Sequence, residues 1–317
     1  MKDTNKKLAA RDVYGETLVR LGKENQDIVV LDADLSCSTR TCKFAAKYPE
    51  RFFNMGIAEQ DMISTAAGLA ACGKIPFVST FAIFETGRCW DQIRQSICYS
   101  EQNVKLVATH AGITVGEDSA THQANEDIAL MRVLPKMKVI VPADGYETEA
   151  VIEVIVKYRG PVYVRLSRSA SPIIFKPAHK FEIGKSQIVH DGDDVTIIAI
   201  GIMVSKAINA AAILQEKGIF ARVINMSTIK PIDKNAIIDA AKETSAIVTA
   251  EEHSIIGGLG SAVSEVVSET IPVPIKRVGV KDRFGMSGNP DELLRRFGLN
   301  EEAIIEAVED VMSRKIK

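Results

Sequence analysis

Short β-branched runs alternate with longer stretches of helical periodicity along this chain, and the alternation predicts a mostly parallel sheet with helices on both faces. Strands are expected at Val29–Leu31, Pro76–Val78, Val104–Ala108, Val139–Val141 and Val162–Val164, and helices at Ala58–Ala71, Cys89–Ser100, Glu126–Leu134 and Glu147–Tyr158. These elements make a first domain over residues 1–170. Residues 171–187 break the rhythm with Pro172, Pro177 and Gly184 and read as a linker. A smaller second domain, residues 188–317, follows. Its strands are Val195–Ile200, Ala221–Asn225, Ala246–Thr249 and Pro274–Val278, and its helices Val204–Lys217, Lys234–Lys242, Leu259–Glu269 and Glu301–Val311. The expected fold class is α/β, two doubly wound domains.

Composition adds exclusions. The 317 residues, 46% of them hydrophobic, suffice for a large core. A net charge of -2, with no block of lysine or arginine, argues against a nucleic-acid partner. The first residues carry no apolar leader and no apolar run reaches membrane-spanning length, so the expectation is a cytoplasmic protein without a membrane partner. Cys37, Cys42, Cys72, Cys89 and Cys98 are odd in number and lack CxxC spacing, which predicts reduced thiols and no metal ligands.

The densest chemistry lies in Thr109–Gln123, THAGITVGEDSATHQ, between a predicted strand and a predicted helix, where doubly wound folds place ligands. His110 and His122 are the proton carriers most easily tuned to neutral pH, and Glu117 and Asp118 can orient them or read a hydroxyl. The same polar residues would also suit a solvated loop. Upstream, Glu59 opens a helix of Ala, Gly, Ser and Thr, where a carboxylate is partly desolvated; the helix macrodipole alone also favours an acid there. Phe81 and Phe84, at the end of a strand, are either core plugs or walls for a flat ring. Arg11, Ser38 and Arg168, near element ends, are candidate anion ligands.

Together these segments resemble the transketolase family over nearly the whole chain. The matching stretches are ARDVYGETL, LDADLSCST, FNMGIAEQDM, STFAIF, ATHAGITVGEDSATHQ, MKVIVPADG, VYVRLSR and, in the second domain, EEHSIIGGLGSAV. The resemblance is to the pyrimidine-binding domain plus the smaller C-terminal domain, and it implies thiamine diphosphate chemistry in which the ylid and electron sink belong to the cofactor. It implies that Glu59 hydrogen-bonds the aminopyrimidine N1′ and that Phe81 and Phe84 flank that ring. Asp34 and Leu35 would contact the cofactor from the neighbouring chain's side. His110 and His122 would bind substrate oxygens and move protons, Asp118 would read the C2 hydroxyl of an acceptor aldose, and Arg11, Ser38 and Arg168 would hold a sugar phosphate.

Departures from the pattern sharpen this expectation. Ala58-Glu59-Gln60 is similar to 1-deoxyxylulose-5-phosphate synthase, which lacks a histidine at the position of His110, and the 2-oxo acid dehydrogenase beta subunit has this layout without the GEDxxTHQ run. A non-catalytic regulatory subunit of the same fold is a further alternative. The family's Mg²⁺ ligands, a GDG motif followed by an asparagine, are absent from this sequence, and His190-Asp191-Gly192-Asp193-Asp194 reads as a turn. The expectation is therefore a split enzyme whose N-terminal diphosphate-binding partner supplies the Mg²⁺ site. The chain would self-associate across the pyrimidine domain within a heterotetramer acting on sugar phosphates. The roles of Arg88, His253 and Arg283 stay open, with local structural pairing favoured for the last two.

Overall fold

The computed structural model describes residues Lys7–Lys315, so residues 1–6 and 316–317 of the two predicted domains lie outside it. In chain order the strands are β1 (Lys7–Ala9), β2 (Ile28–Asp32), β3 (Phe52–Asn54), β4 (Ile75–Ser79), β5 (Lys105–Ala108), β6 (Lys138–Ile140) and β7 (Val162–Arg165). They continue as β8 (Ala170–Pro172), β9 (Gln187–His190), β10 (Val195–Ala199), β11 (Ala221–Asn225), β12 (Thr228–Lys230), β13 (Ile247–Ser254) and β14 (Ile275–Val280). Two larger sheets result, in the orders β12-β6-β7-β5-β4-β2-β3 and β14-β13-β10-β11-β9. Each is parallel except for one antiparallel edge strand, β12 or β9. The predicted α/β class with mostly parallel sheets is the observed one.

The central strands β2, β5, β7 and β10 are buried at every position because helices cover both faces of the sheets, whereas β3, β9 and the start of β14 are partly exposed. Even Lys105 is buried; its ammonium donates to Asn103 Oδ1, Tyr158 O and Gly160 O at 2.7–2.9 Å. Side-chain caps start several helices: Asp144 accepts from Glu147 N–H before Gly145–Ile155, and Asn300 from Ala303 N–H before Glu301–Ser313. Among the described residues, no helix is long and apolar enough to cross a membrane.

The structure departs from the sequence expectation in several places. The segment Cys89–Ser100 is not a regular helix: a short turn at Trp90–Gln92 runs into a π-helical stretch, Ile93–Tyr99, after another π-helical turn at Phe84–Arg88. Such widened turns recur near functional sites. Helix Ala10–Glu24 and strand β3 also form where no element was expected. Most consequential is β12, which lies in the second half of the sequence yet pairs with β6 of the first sheet, Thr228 opposite Ile140. One apolar cluster accordingly runs from Leu31, Val78 and Leu106 through Val139 to Ile198, Ile224, Ile229 and Val263.

The shared cluster makes a testable demand. Ile229 is 2% exposed on β12, and truncating it to alanine is expected to cost about 2–5 kcal/mol by cavity formation. The only tryptophan, Trp90, belongs to the first half, yet its fluorescence should report the lowered urea midpoint of Ile229→Ala. A fluorescence transition that stays put while the circular dichroism transition moves would show that the halves unfold separately.

Candidate functional site

The chain leaves β2, adds β3 on one side and returns to add β4 on the other. The crevice at this reversal lies outside the carboxyl ends of β2 and β4, the place where open α/β sheets bind ligands. Residues following β2, β3, β4, β5 and β7 converge there. At the end of β2, Asp32 is fully buried and organises the turn that follows: it accepts Leu35 N–H at 2.6 Å and the hydroxyls of Thr39 and Thr41 at 2.7 and 2.9 Å. Asp34, at φ +63°, exchanges two 3.1 Å hydrogen bonds with Asn54 at the end of β3. Glu59 then opens helix Glu59–Ala71 with its side chain only 6% exposed.

Register explains the aromatic wall. The parallel β4–β5 pairing continues past the strands as a bridge between Phe81 and Thr109, with Ala82 N–H donating to Thr109 O at 2.8 Å. Phe81 and His110 therefore rise side by side and stack, centroids 3.8 Å apart and planes 19° apart. Phe84 lies nearly parallel to Phe81 at 5.7 Å, and His122 turns its ring edge-on to Phe84 at 5.2 Å. His110 is held at φ +58°, a conformation that costs about 1–3 kcal/mol in a residue other than glycine and is concentrated at functional sites.

Arg88 completes this wall in a way the sequence did not disclose. Its guanidinium donates to Glu59 Oε1 at 2.7 Å and lies 4.1 Å from the Phe84 ring centre. A flat nitrogen-bearing cation thus stacks on Phe84 while bonding Glu59, beside a cavity of about 530 Å³ lined by Ile57–Asp61 and Arg88.

A cluster of cations meets the wall. The antiparallel pairing of β1 with β8 sets Ala9 opposite Ala170, helix Ala10–Glu24 starts directly after it, and Arg11 in its first turn stands near enough to Arg168 for the two charges to repel. Arg11 donates to Ser38 O at 2.9 Å, and Arg40, which sequence reasoning missed, pairs with Asp12 at 2.6 Å. Burial first, and then repulsion from Arg11, Arg168 and Arg40, lowers the His110 imidazole to about 3, so it is neutral at physiological pH. Burial and the neighbouring Arg40 likewise lower the Arg11 guanidinium. Such a cluster is suited to an anion.

The structure brings Phe81, Phe84, His110 and His122 into contact and sets Arg11 against Ser38. Asp118 instead stands exposed on the outer shoulder of its loop, next to Glu117, which pairs with Arg168 at 3.4 Å. Asp34 is tied to Asn54, and Leu35 starts the turn at Ser36–Thr39. Glu85 also went unnoticed: it is fully buried in the π-helical turn, and burial together with Asp32 pushes its carboxyl well above the usual range. The only sequence signal for Glu85 and Arg40 is a charge set directly beside apolar or small residues. His253 is buried against Asp127 at 4.0 Å, and Arg283 donates to Arg296 O and lies over Phe297. Among the described residues, no group of three or more His, Cys, Asp and Glu side chains is arranged to hold a metal ion.

Comparison with known proteins finds matches over both parts of the chain. The family profile described as "Transketolase, pyrimidine binding domain" matches residues 6–173, and "Transketolase, C-terminal domain" matches residues 184–304. A solved structure titled "Split gene transketolase, inactive beta4 tetramer" is 52% identical, with a TM-score of 0.90, covering 98% of this chain and 100% of that one. The 6-deoxy-6-sulfo-D-fructose transketolase subunit SqwH of Clostridium sp. (strain MSTE9) is 43% identical over 96% of this chain and 95% of its own length. An apulose-4-phosphate transketolase subunit of Phocaeicola vulgatus is 40% identical, over 95% of this chain and 96% of its own. Against the transketolase of Homo sapiens the identity is 38%, over 97% of this chain but 50% of that protein.

The electrostatics of His110 can be read directly. Its ring resonances should not titrate between pH 5 and pH 8, and Arg11→Ala should raise the midpoint without restoring it to 6.5, because burial remains the larger cause. Between pH 6.5 and about 3 the unfolded chain binds this proton and the folded chain does not. The contribution of this group to stability is therefore complete above pH 6.5 and declines as pH falls through that window. A His110 titration near 6.5 in the folded wild-type chain would contradict the assignment.

Proposed function

Because this chain belongs to the transketolase family, we propose that it is the C-terminal subunit of a split transketolase, transferring a two-carbon ketol unit between ketose and aldose phosphates. The observation that carries this reading is the convergence, in one crevice, of Glu59, the Phe81–Phe84–His110–His122 wall and the Arg11–Arg40–Arg168 cluster. Thiamine diphosphate, when bound, supplies the carbanion chemistry of the reaction. The residues present fit its aminopyrimidine, since the Arg88 guanidinium already forms the two contacts a flat nitrogen ring needs: stacking on Phe84 and a hydrogen bond to Glu59.

In this reading Glu59 binds the ring nitrogen, Phe81 and Phe84 hold the ring plane, and Asp34 and Leu35 approach the cofactor of a neighbouring copy. His110, being neutral, can accept a hydrogen bond or a proton from a substrate hydroxyl, and His122 works beside it from across Phe84. Asp118 reads the acceptor's C2 hydroxyl from the loop shoulder. Arg11, Ser38 and Arg168, with Arg40, hold the anionic end of the sugar. Guanidinium forks satisfy phosphate and sulfonate oxygens alike, and the relatives named for 6-deoxy-6-sulfo-D-fructose and apulose 4-phosphate make donors other than pentose phosphates a second reading of the same site.

The chain matches relatives described as subunits over nearly their whole length but covers half of the human enzyme. This supports a separate N-terminal subunit that brings the diphosphate and Mg²⁺ ligands. The similar solved chain described as an inactive β4 tetramer supports self-association of the chain alone, and a heterotetramer follows if two copies of each subunit share one two-fold axis. Work in the cytoplasm is part of the same proposal.

Mixing the chain with its diphosphate-binding partner, thiamine diphosphate and Mg²⁺ should give transfer from xylulose 5-phosphate to ribose 5-phosphate, with no transfer by the chain alone. Glu59→Ala should lower kcat by on the order of 10²–10⁴-fold with an unchanged circular dichroism spectrum. Transfer by the lone chain would overturn the split-site reading. Inactivity of the mixture with every phosphorylated or sulfonated ketose tried would favour a non-catalytic subunit.

A further inference from the structure

The loop that carries His110, Asp118 and His122 belongs to the first half of the chain, yet its underside rests on the second. Thr114 N–H donates to Glu252 Oε1 at 2.7 Å. Gly112, at φ +76°, lies so close to the same group that an added methyl would overlap the Glu252 carboxyl carbon and both its oxygens. The far end of the loop is held in the same manner. Gln123 Nε2 donates to Ile113 O at 3.1 Å and to Met286 O at 2.9 Å, and Ser287 Oγ donates to Glu117 O at 2.8 Å.

Glu252 is itself fixed before it touches the loop. It is 2% exposed on β13, and its backbone carbonyl accepts Arg165 Nη2 at 2.8 Å. Arg165 is anchored in turn by Asp127 Oδ2 at 2.7 Å from its Nε, and it donates to Ala124 O at 3.2 Å, the carbonyl that also receives Gly112 N–H. The loop is therefore closed at its base by Ala124 and set in height by the Glu252 carboxylate. A fixed carboxylate accepting a buried N–H is a short, directional contact.

We propose that Glu252 is a positioning residue for the two-carbon transfer: by holding Thr114 N–H and abutting Gly112, it fixes where His110, two residues before Gly112, stands against Phe81. The assignment rests on the transfer reading above, and it gives the second half of the chain a part in catalysis without contact with substrate or cofactor. A group that must meet its target within a fraction of an ångström loses about 10²-fold in rate when displaced by about 1 Å.

The test joins two readouts. In the chain alone, hydrogen exchange at the amides of residues 112–116 should accelerate in Glu252→Ala and stay near wild type in Glu252→Gln, whose amide oxygen still accepts Thr114 N–H. The helix Glu59–Ala71 should be unaffected in both. In the reconstituted mixture Glu252→Ala should lose about 10- to 100-fold in kcat with a smaller change in KM, and Glu252→Gln should remain within a few-fold of wild type. Glu252→Asp keeps the charge but shortens the arm, and it replaces the alanine variant should that one fail to fold, with the same losses expected. Unchanged loop exchange in the alanine or aspartate variant overturns the proposal, as does an unchanged kcat beside an active wild type. Should the wild-type mixture itself transfer nothing, the functional reading fails on its own, and loop exchange still decides whether Glu252 holds the loop.

Discussion

One buried cation ties the two halves of this protein together. Arg165, 4% exposed at the end of β7, binds Asp127 of helix Asp127–Arg132, the Ala124 carbonyl at the base of the histidine loop and the Glu252 carbonyl of β13. Tyr163 donates to the same Asp127 oxygen at 2.7 Å. Burial opposes the charge on Arg165, but Asp127 and Glu252 outweigh that and keep it ionised. A buried pair of this kind contributes little net stability compared with an apolar replacement, yet losing one partner costs about 3–5 kcal/mol because the other charge is stranded. Its value here is geometric, since a helix, a loop and a strand are all referred to one planar group.

The neighbouring site follows the opposite electrostatic rule. Around Arg165 the charges are matched inside the molecule. Around His110, three guanidiniums stand close enough to repel its protonated form, and among the described residues only Asp12 and the exposed Glu117 pair with them. Folding tolerates such an imbalance where solvent or an anionic ligand can answer it, and the positive backbone angle of His110 adds strain at the same point. The matched charges of the junction and the unmatched charges of the crevice lie only a few residues apart, at and just beyond the ends of β5 and β7.

Much of the fold was legible in the sequence because parallel strands covered on both faces leave uninterrupted apolar runs, as at Val104–Ala108 and Val162–Val164. The site was legible where chemistry is dense in sequence, as in Thr109–Gln123, and where the resemblance named isolated positions such as Glu59, Phe81 and Arg168. What escaped depends on contacts distant along the chain. The three residues of β12 carry no periodicity to read, and their pairing partner is β6. Arg88 acquires meaning only because a widened helical turn swings it onto Phe84 and Glu59, and Arg40 because its backbone takes a left-handed turn after Ser38. Glu252 lies in an EEH run whose neighbours Glu251 and His253 serve other contacts, so spacing alone does not single it out.

The borrowed edge strand has a consequence for how the chain comes to be folded as it is made. While the ribosome is still extending residues 141–227, β6 already exists but its outer edge has no partner, because Thr228–Lys230 has not yet emerged. An open edge beside an apolar face is the kind of surface on which nascent chains pair wrongly with one another. The first half therefore cannot complete its sheet as a self-contained unit during synthesis. It must wait, partly open, for a strand that arrives only after the start of the second half, residues 188–227, has been made.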